Sequence, residues 1–192
     1  MPRLWRSGAA GSYILDSSAD LNRFLADVER RAFRMARLAT ADAEEALDIV
    51  QEAMFGFARR YGGRTAGEWA PLFYRTLQSR IIDWQRRTGL RNRWRVWFGG
   101  GDEGDGHDPL ENIADGRTPD PESALADRAV GTAIEAALRQ LPLRQRQAFL
   151  LRSWEGLGVA ETATAMGCSA GSVKTHYSRA VHTLRSLLEE YR

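Results

Sequence analysis

Hydrophobic side chains recur every three or four residues along most of the chain, which is the spacing of one face of an α-helix. Before residue 99 this spacing predicts three helices, at roughly 20–39, at roughly 41–60, and around residues 69–84. Their predicted buried positions are Phe24, Val28, Met35 and Leu38, then Leu47, Val50, Met54, Phe57 and Tyr61, and then Trp69, Phe73, Leu77, Ile81 and Trp84. Gly62 and Gly63 are expected to end the second helix, because glycine readily adopts a positive φ.

The same spacing returns after residue 121 and predicts about four more helices. They are expected at about 122–139, from Pro142 to Trp154 with an end at Gly156, at 159–166, and from about 170 to 191. The predicted buried stripe of the last helix is Val173, Tyr177, Ala180, Leu184 and Leu187. No stretch alternates between apolar and polar residues as a strand would. The chain is therefore predicted to be all-α.

Residues 99–121 differ from the rest in composition and charge. They are rich in Gly and Pro and carry a net charge of −6, whereas 1–98 carry +6 and 122–192 carry +2. Such a stretch buries too little apolar surface to offset the entropy lost on ordering. We predict an N-terminal extension at 1–17 and two small helical domains at 18–98 and 122–192, joined by a flexible acidic linker at 99–121.

The composition excludes several classes of protein. The 192 residues are 43% hydrophobic and 27% charged, which is enough for packed cores and unlike a disordered chain. The one cysteine, Cys168, excludes an internal disulfide and a zinc site built from cysteines. Neither a membrane-spanning run nor the apolar stretch of a secretory signal is found, so we expect a cytoplasmic protein without membrane insertion.

The usual signatures of enzymes are missing from the sequence. It has no phosphate-binding glycine loop, no Gly-x-Ser-x-Gly and no His-Glu-x-x-His. Of the three histidines, His107 falls in the predicted linker, and the spacing of His176 and His182 puts them on different helix faces. We therefore expect no enzyme activity, no catalytic residue, no metal and no cofactor.

The most specific pattern lies near the C-terminal end. A short helix ending at Met166 is followed by Gly167, which permits a sharp turn, and by Ser169, which can cap the next helix. This is the helix-turn-helix arrangement, whose second helix reads the major groove of DNA. The side chains predicted to face DNA are Ser172, Lys174, Thr175, His176, Ser178 and Arg179. The residues alone are also consistent with an alternative, an ordinary helical hairpin whose polar face is solvated and binds nothing.

A row of carboxylates marks the second predicted helix. Glu45, Asp48 and Glu52 recur at i, i+3 and i+7, opposite the apolar stripe. Glu44 stands beside them. A fixed row of carboxylates suits a basic protein surface better than a nucleic acid. Taken alone, however, the row favours the alternative of a solvated acidic face without a partner.

Arginine and aromatic residues are interleaved in and after the third helix. They are Arg75, Arg80, Arg86, Arg87, Arg91, Arg93 and Arg95, with Tyr74, Trp84, Trp94 and Trp97. Arginine can neutralise phosphates, and aromatic rings can stack on unpaired bases. Trp69 and Trp84 belong to the buried stripe and are predicted to pack inside. With five arginines in ten residues, the stretch 86–95 is the better candidate for phosphate contact. The turn at 61–68 is a second candidate for DNA contact.

Four motifs, in this order, resemble those of the extracytoplasmic-function (ECF) sigma factors, the minimal class of bacterial RNA polymerase sigma subunits. Asp48–Glu52, Asp-Ile-Val-Gln-Glu, resembles the family's core-binding signature Asp-Leu-Val-Gln-Glu. Phe73–Arg87 resembles the helix that reads the −10 promoter element. Leu141–Arg152 resembles the family's Leu-Pro-x-x-x-Arg…Phe-Leu-Leu-Arg. Gly171–Thr175, Gly-Ser-Val-Lys-Thr, resembles Gly-Thr-Val-Lys-Ser of the helix that reads the −35 element.

The resemblance implies an alternative sigma factor, with sigma region 2 at 18–98 and sigma region 4 at 122–192. The implied core-polymerase contacts are Glu44, Glu45, Asp48, Gln51 and Glu52. The implied contacts with the melted −10 element are Arg60, Arg64, Tyr74, Arg75, Gln78, Ser79, Arg86 and Arg87. The last helix would read the −35 element as duplex. The implied partners are core RNA polymerase, through its β′ clamp helices and β flap, promoter DNA, and an anti-sigma factor.

Two other classes of protein fit parts of the sequence. A stand-alone regulator of the LuxR/NarL kind also has Val-Lys-Thr-His in its recognition helix, as at Val173–His176. Against it, the N-terminal half lacks the βα alternation of a receiver domain, and Leu141-Pro142 replaces the usual Leu-Thr. An RNA-binding or helical adaptor protein would use the arginine–aromatic segment, but it would leave the C-terminal pattern unexplained.

Overall fold

The computed structural model describes the backbone of residues 10–98 and 121–189, and the side chains of residues 18–88 and 130–189. Within these ranges the chain is helical, without strands, as predicted. The elements are α1 (Ala10–Thr40), α2 (Ala43–Tyr61), α3 (Ala66–Phe98), α4 (Pro121–Gln140), α5 (Leu143–Phe149), a π-helical turn (Leu150–Trp154), α6 (Val159–Met166) and α7 (Ala170–Leu187). The predicted linker up to residue 120 lies outside the described residues, as do Arg91–Arg95, Trp94 and Trp97 as side chains.

Helices α1, α2 and α3 form a bundle, which we call the N-terminal half. Its centre is an aromatic cluster in which the Phe73 ring meets those of Phe24 and Phe57 edge-on, with centroids 5.9 and 5.7 Å apart. Phe24 also packs against Trp69 at 5.5 Å. Such aromatic pairs stabilise a core by about 0.5–1.5 kcal/mol beyond the apolar area that they bury. The cluster therefore ties the three helices together.

The helices of this half depart from the sequence prediction at three points, the first of which is the end of α3 at Phe98, well beyond the predicted stretch of 69–84. Helix α1 begins at Ala10, about ten residues before the predicted start and inside the predicted N-terminal extension. The prediction of a positive φ at the end of α2 is wrong, because Gly62 has a right-handed φ of −57°. A Cβ atom there would lie 2.6 Å from the carbonyl oxygen of Ala58, so the position needs glycine for space and not for backbone freedom.

Two predicted buried positions also lie on the surface. Leu47 is 45% exposed, since Ala46 and Ile49 occupy the buried side of α2 at that level. Leu187, in the last turn of α7, is 37% exposed. Trp84 is half-buried, and its indole N–H donates to the Glu45 carboxylate at 2.7 Å. The apolar spacing predicted the helices correctly, but it could not predict which side of each helix a neighbouring helix covers.

Helices α4 to α7 form the C-terminal half, in which α5 and α6 pack against α7. Leu151 and Val173 fill its core and are almost completely buried. Gly156, with φ of 69°, reverses the chain after the π-helical turn, at the predicted helix end. The Thr162 hydroxyl is also buried, and it donates to the Gly158 carbonyl oxygen at 2.8 Å. This hydrogen bond ties the first turn of α6 to Gly158, the residue that precedes the helix.

The two halves pack on each other, chiefly through α6 against α3 and more narrowly through α4 against α1. A buried charge lies in this interface, where the Arg146 guanidinium donates to the Leu38 carbonyl oxygen at 3.1 Å. Burial, and then the positive charge of Arg139, lower the pKa of Arg146. Nothing in the sequence pattern predicted this contact between the halves.

Candidate nucleic-acid and protein interfaces

The predicted helix-turn-helix is present at α6 and α7. Gly167 adopts the left-handed conformation, with φ of 60° and ψ of 43°, as the sharp turn requires. The next amide, of Cys168, donates to the Ala163 carbonyl oxygen at 3.1 Å and closes the end of α6. The Ser169 hydroxyl accepts from the Ser172 amide at 3.1 Å and caps α7. Both predicted turn residues are thus confirmed in their roles.

Helix α7 presents a polar and basic face to solvent. Val173, Ala180 and Leu184 anchor its opposite side in the core. Of the side chains predicted to face DNA, Lys174, Thr175, Ser178 and Arg179 are exposed, and Ser172 and His176 are half-buried. Thr175 donates to the Gly171 carbonyl oxygen at 3.1 Å, and the Ser172 hydroxyl bonds that of Ser169 at 2.9 Å. Lys174 and Arg179 are therefore the side chains of this face that can extend furthest towards a partner.

The half-buried side of α7 is held by Tyr177. Its ring stacks on that of Phe149, with centroids 6.3 Å apart and planes inclined by 15°. Its hydroxyl lies 3.0 Å from the Ser153 hydroxyl, and the Arg152 guanidinium lies 5.9 Å from its ring centroid. Tyr177 thus adds to the buried anchors of α7 a contact with the segment from Phe149 to Ser153.

Replacing Ser169 by alanine is expected to lower the free energy of unfolding by about 1 kcal/mol, since one capping hydrogen bond of α7 is lost. Urea denaturation of the full chain, followed by circular dichroism, measures this change. Ser178→Ala is the matched control, since Ser178 is exposed inside the same helix. Equal stability of the two variants would contradict the capping role.

The acidic row lies on the exposed side of α2, which we call the acidic face. Glu44, Asp48, Gln51 and Glu52 are exposed, and Glu45 is half-buried under Trp84. The Glu52 carboxylate lies 3.4 Å from the Arg80 guanidinium of α3. Asp42 caps the helix by accepting from the Glu45 amide at 3.0 Å. The face is therefore held rigidly, with most of its charge open to a partner.

Phe55 is an aromatic residue of this face that the sequence analysis missed. It is 76% exposed, the most exposed large hydrophobic side chain among the described residues. It stands seven residues after Asp48, two helical turns along the same side. That spacing from the carboxylates was the available signal, but an aromatic residue near Phe57 is easily assigned to the core. An exposed aromatic ring among polar groups is typical of a protein-binding surface.

The residues predicted to contact melted DNA divide into two groups. Arg60, Arg64, Arg75, Ser79, Arg86 and Arg87 are exposed. Arg64 lies 3.8 Å from the Glu68 carboxylate, an exposed pair that contributes little to stability. Tyr74 and Gln78 are 1% and 5% exposed, against the expectation that they face DNA. In this structure, DNA has no access to those two side chains.

The C-terminal half is what buries Tyr74 and Gln78. The Tyr74 hydroxyl donates to the Glu155 carboxylate, which also accepts from the Arg31 guanidinium at 2.9 Å. The Gln147 side-chain amide donates to the Gln78 side-chain oxygen at 2.6 Å. Burial, followed by the hydrogen bond and the charge of Glu155, raises the pKa of the Tyr74 phenol above its ordinary value.

A groove of about 700 Å³ runs between the halves on the side of α1 and α4. Three of the exposed apolar side chains of the described chain line it, namely Leu47, Ile134 and Trp154. Its remaining lining includes Arg30, Arg34, Arg37 and Arg139 beside Glu29 and Glu135. The groove thus combines an apolar floor with a rim in which positive charge exceeds negative charge.

Comparison with known proteins extends these observations. Residues 131–184 match the family model described as Sigma-70, region 4. The chain is 33% identical over 156 residues to the RNA polymerase sigma-E factor of Streptomyces avermitilis, covering 81% of this chain and 78% of the relative. It is 30% identical over 186 residues to the ECF RNA polymerase sigma factor SigL of Mycobacterium tuberculosis, covering 96% and 95%.

A solved structure has the same fold. It is that of the sigma factor RpoE in complex with the anti-sigma factor NepR from Bartonella quintana. The TM-score is 0.63 at 22% identity, over 90% of this chain and 99% of that one.

These matches extend over both halves of the chain, and α6, the turn and most of α7 fall inside the matched region 4. The protein belongs to the sigma-70 family of RNA polymerase sigma factors, in its ECF class. The LuxR/NarL alternative is not favoured by these relatives. In the described part of the chain, no helix combines the length and apolarity that crossing a bilayer requires.

Proposed function

We propose that this protein is an alternative sigma factor, which binds core RNA polymerase and directs it to promoters by reading −35 and −10 DNA elements. The observation that carries the proposal is the presence of two exposed surfaces of different chemistry on one sigma-family chain. The face of α7 is polar and basic, as DNA requires, and the face of α2 is acidic and aromatic, as a basic protein surface requires.

The two surfaces belong to different halves of the chain and bind different partners. The acidic face, with Phe55 at its C-terminal end, docks on the β′ clamp helices, and α7 enters the major groove of the −35 element. The exposed arginines of α2 and α3 hold the phosphates of the −10 element while its strands separate. Because both halves are tethered to one polymerase, contact by one raises the effective concentration of the other.

The protein acts in the cytoplasm as a binding subunit, without enzyme activity or a cofactor of its own. An anti-sigma factor binds it, as NepR binds the sigma factor RpoE in the solved structure from Bartonella quintana. The groove between the halves supports this part, because an amphipathic helix with acidic edges fits an apolar floor with an arginine-rich rim.

Run-off transcription tests the function. Core RNA polymerase of Streptomyces avermitilis, the source of the sigma-E relative, is freed of its own sigma factors and incubated with this protein and a library of genomic promoter fragments. We expect transcripts that depend on the protein and share upstream −35 and −10 elements. DNA binding without core polymerase, and no transcripts with it, would instead favour a stand-alone regulator.

Replacing Arg179 by alanine is expected to weaken binding to −35 duplex by about tenfold, because one exposed contact to base or phosphate is lost. Fluorescence anisotropy with the −35 duplex found by run-off transcription measures this affinity. Co-purification with core polymerase should stay at the level of the unchanged protein, since Arg179 belongs to α7 and the acidic face belongs to α2. Arg185→Ala, an exposed arginine in the last turn of the same helix, is the control. Unchanged transcription by the Arg179 variant would overturn this assignment.

A further inference from the structure

Exposed apolar side chains cluster at the groove beside α1 and α4. Leu47, Ile134 and Trp154 line this groove, and Val130 stands one turn before Ile134 on α4 and is exposed as well. Exposed apolar side chains that cluster in this way mark binding sites, whereas single ones do not. The volume of about 700 Å³ falls within the range of about 300–1,000 Å³ that is usual for sites of small molecules.

The rim of the groove carries an excess of positive charge. Among the described residues, four arginines and two glutamates line it. Arg30 and Arg34 stand one turn apart on α1, and Arg139 belongs to α4. All three are exposed, and no carboxylate of the described residues forms an ion pair with them. Besides burial, the charge of Arg139 lowers the pKa of Arg146, as an excess of positive charge does. The rim therefore favours an anionic group.

The lining of the groove excludes most polar ligands. In the described part of the chain it has no neutral polar side chain, since apolar residues and glycine accompany the arginines and glutamates. A nucleotide or a sugar has many polar atoms, each of which costs free energy when it is buried without a hydrogen-bond partner. An aliphatic chain with one anionic end makes no such demand. The chemistry of the lining thus selects a long-chain carboxylate.

We propose that the groove is a binding site for a long-chain fatty acid, whose alkyl chain lies on the apolar floor and whose carboxylate pairs with the arginines of the rim. Each methylene group that enters the groove leaves water, and charge-assisted hydrogen bonds from guanidinium groups hold the carboxylate. A fatty acid and the amphipathic helix of an anti-sigma factor need the same floor, so only one of them can be bound at a time. Fatty-acid binding does not depend on the proposed function, because the free protein suffices for it.

Isothermal titration calorimetry of the full chain with sodium dodecanoate, below the concentration at which it forms micelles, tests the site. One molecule per chain should bind, with saturation. Decanoate, which is two methylene groups shorter, should bind about tenfold more weakly, because less apolar surface leaves water. Dodecyltrimethylammonium carries the same alkyl chain with a positive charge and should not reach saturation, because the rim repels it.

Two substitutions in the rim test the role of its charge. Arg34→Ala with Arg139→Ala should weaken dodecanoate binding by at least about tenfold, because hydrogen bonds to a charged group are lost. The matched control is Arg59→Ala with Arg185→Ala, which removes two exposed arginines that do not belong to the lining. The control should bind dodecanoate within about twofold of the unchanged chain.

A substitution in the floor tests the position of the alkyl chain. Ile134→Asp places a carboxylate on the floor and should weaken dodecanoate binding by at least about tenfold, since the charge stays hydrated and repels the ligand. Leu187→Asp makes the corresponding change at an exposed apolar residue of α7 outside the lining, and it should leave binding unchanged. Because Ile134 and Leu187 are both exposed, neither change disturbs the core.

Three results would overturn the fatty-acid site. They are the absence of saturable dodecanoate binding, equal binding of dodecanoate and dodecyltrimethylammonium, and equal affinities in the groove variants and their controls. Failure of run-off transcription together with the expected dodecanoate results would contradict the proposed function and support the fatty-acid site.

Discussion

Replacing Asp48, Glu52 and Phe55 together by alanine is expected to reduce sigma-dependent transcription by at least about tenfold, through loss of binding to core polymerase. The two carboxylates supply the complementary charge, and the exposed phenylalanine supplies the apolar contact that a partner would desolvate. Aromatic residues that a partner desolvates commonly contribute about 2 kcal/mol or more each, whereas charges that stay solvated contribute less. The single Phe55→Ala variant should therefore account for most of the loss.

Surface plasmon resonance with immobilised core polymerase measures the affinity directly, beside the run-off assay. The control is Asp20→Ala with Asp27→Ala, which removes the same charge from exposed positions of α1. Binding of the −35 duplex by the triple variant should be unchanged, since α7 is untouched. If the triple variant binds core polymerase as tightly as the control does, the acidic face is a solvated surface.

Replacing Phe73 by alanine is expected to lower the free energy of unfolding by about 3–5 kcal/mol, the usual cost of truncating a buried phenylalanine. Phe73 is completely buried and meets Phe24 and Phe57 edge-on. The substitution leaves a cavity between all three helices of the N-terminal half. Since whole domains are stable by only about 5–15 kcal/mol, the variant should be partly unfolded near body temperature.

Phe55→Ala is the matched control for this second prediction, because it makes the same substitution at an exposed site of the same half. Its effect on unfolding should stay within about 0.5 kcal/mol. Thermal and urea denaturation of the full chain measure both variants. Similar stability losses in the two variants would contradict the assignment of Phe73 to the core and of Phe55 to the surface.

Much of the fold follows from local sequence, because its causes are local. Helix α2 carries its own cap at Asp42, and the turn between α6 and α7 depends on Gly167 and Ser169 within three residues of each other. The apolar spacing identified the helices and most of the core, including Phe57, Phe73 and Val173. The helix-turn-helix was predictable for the same reason, since turn, cap and buried stripe are properties of one continuous segment.

The exposed surfaces were predictable only in part. A row of carboxylates on one helix side is visible in the sequence, and the structure places most of that row in solvent. The exposure of Phe55 and Leu47 could not be predicted from the sequence. The spacing of apolar residues along a helix is the same whether or not a neighbouring helix covers them. Which flank of α2 is covered depends on how α1 and α3 pack against it, and no short segment encodes that packing.

By itself, the sequence determined the helical class, the helix-turn-helix, the acidic row and the membership of the ECF class through its motifs. Only the tertiary structure decided that α6 lies on α3, that Glu155 meets Arg31 and Tyr74, and that Tyr74 and Gln78 are covered. The physical reason is the separation along the chain. Glu155 is 124 residues from Arg31 and 81 from Tyr74, so their pairing depends on how two completed domains dock.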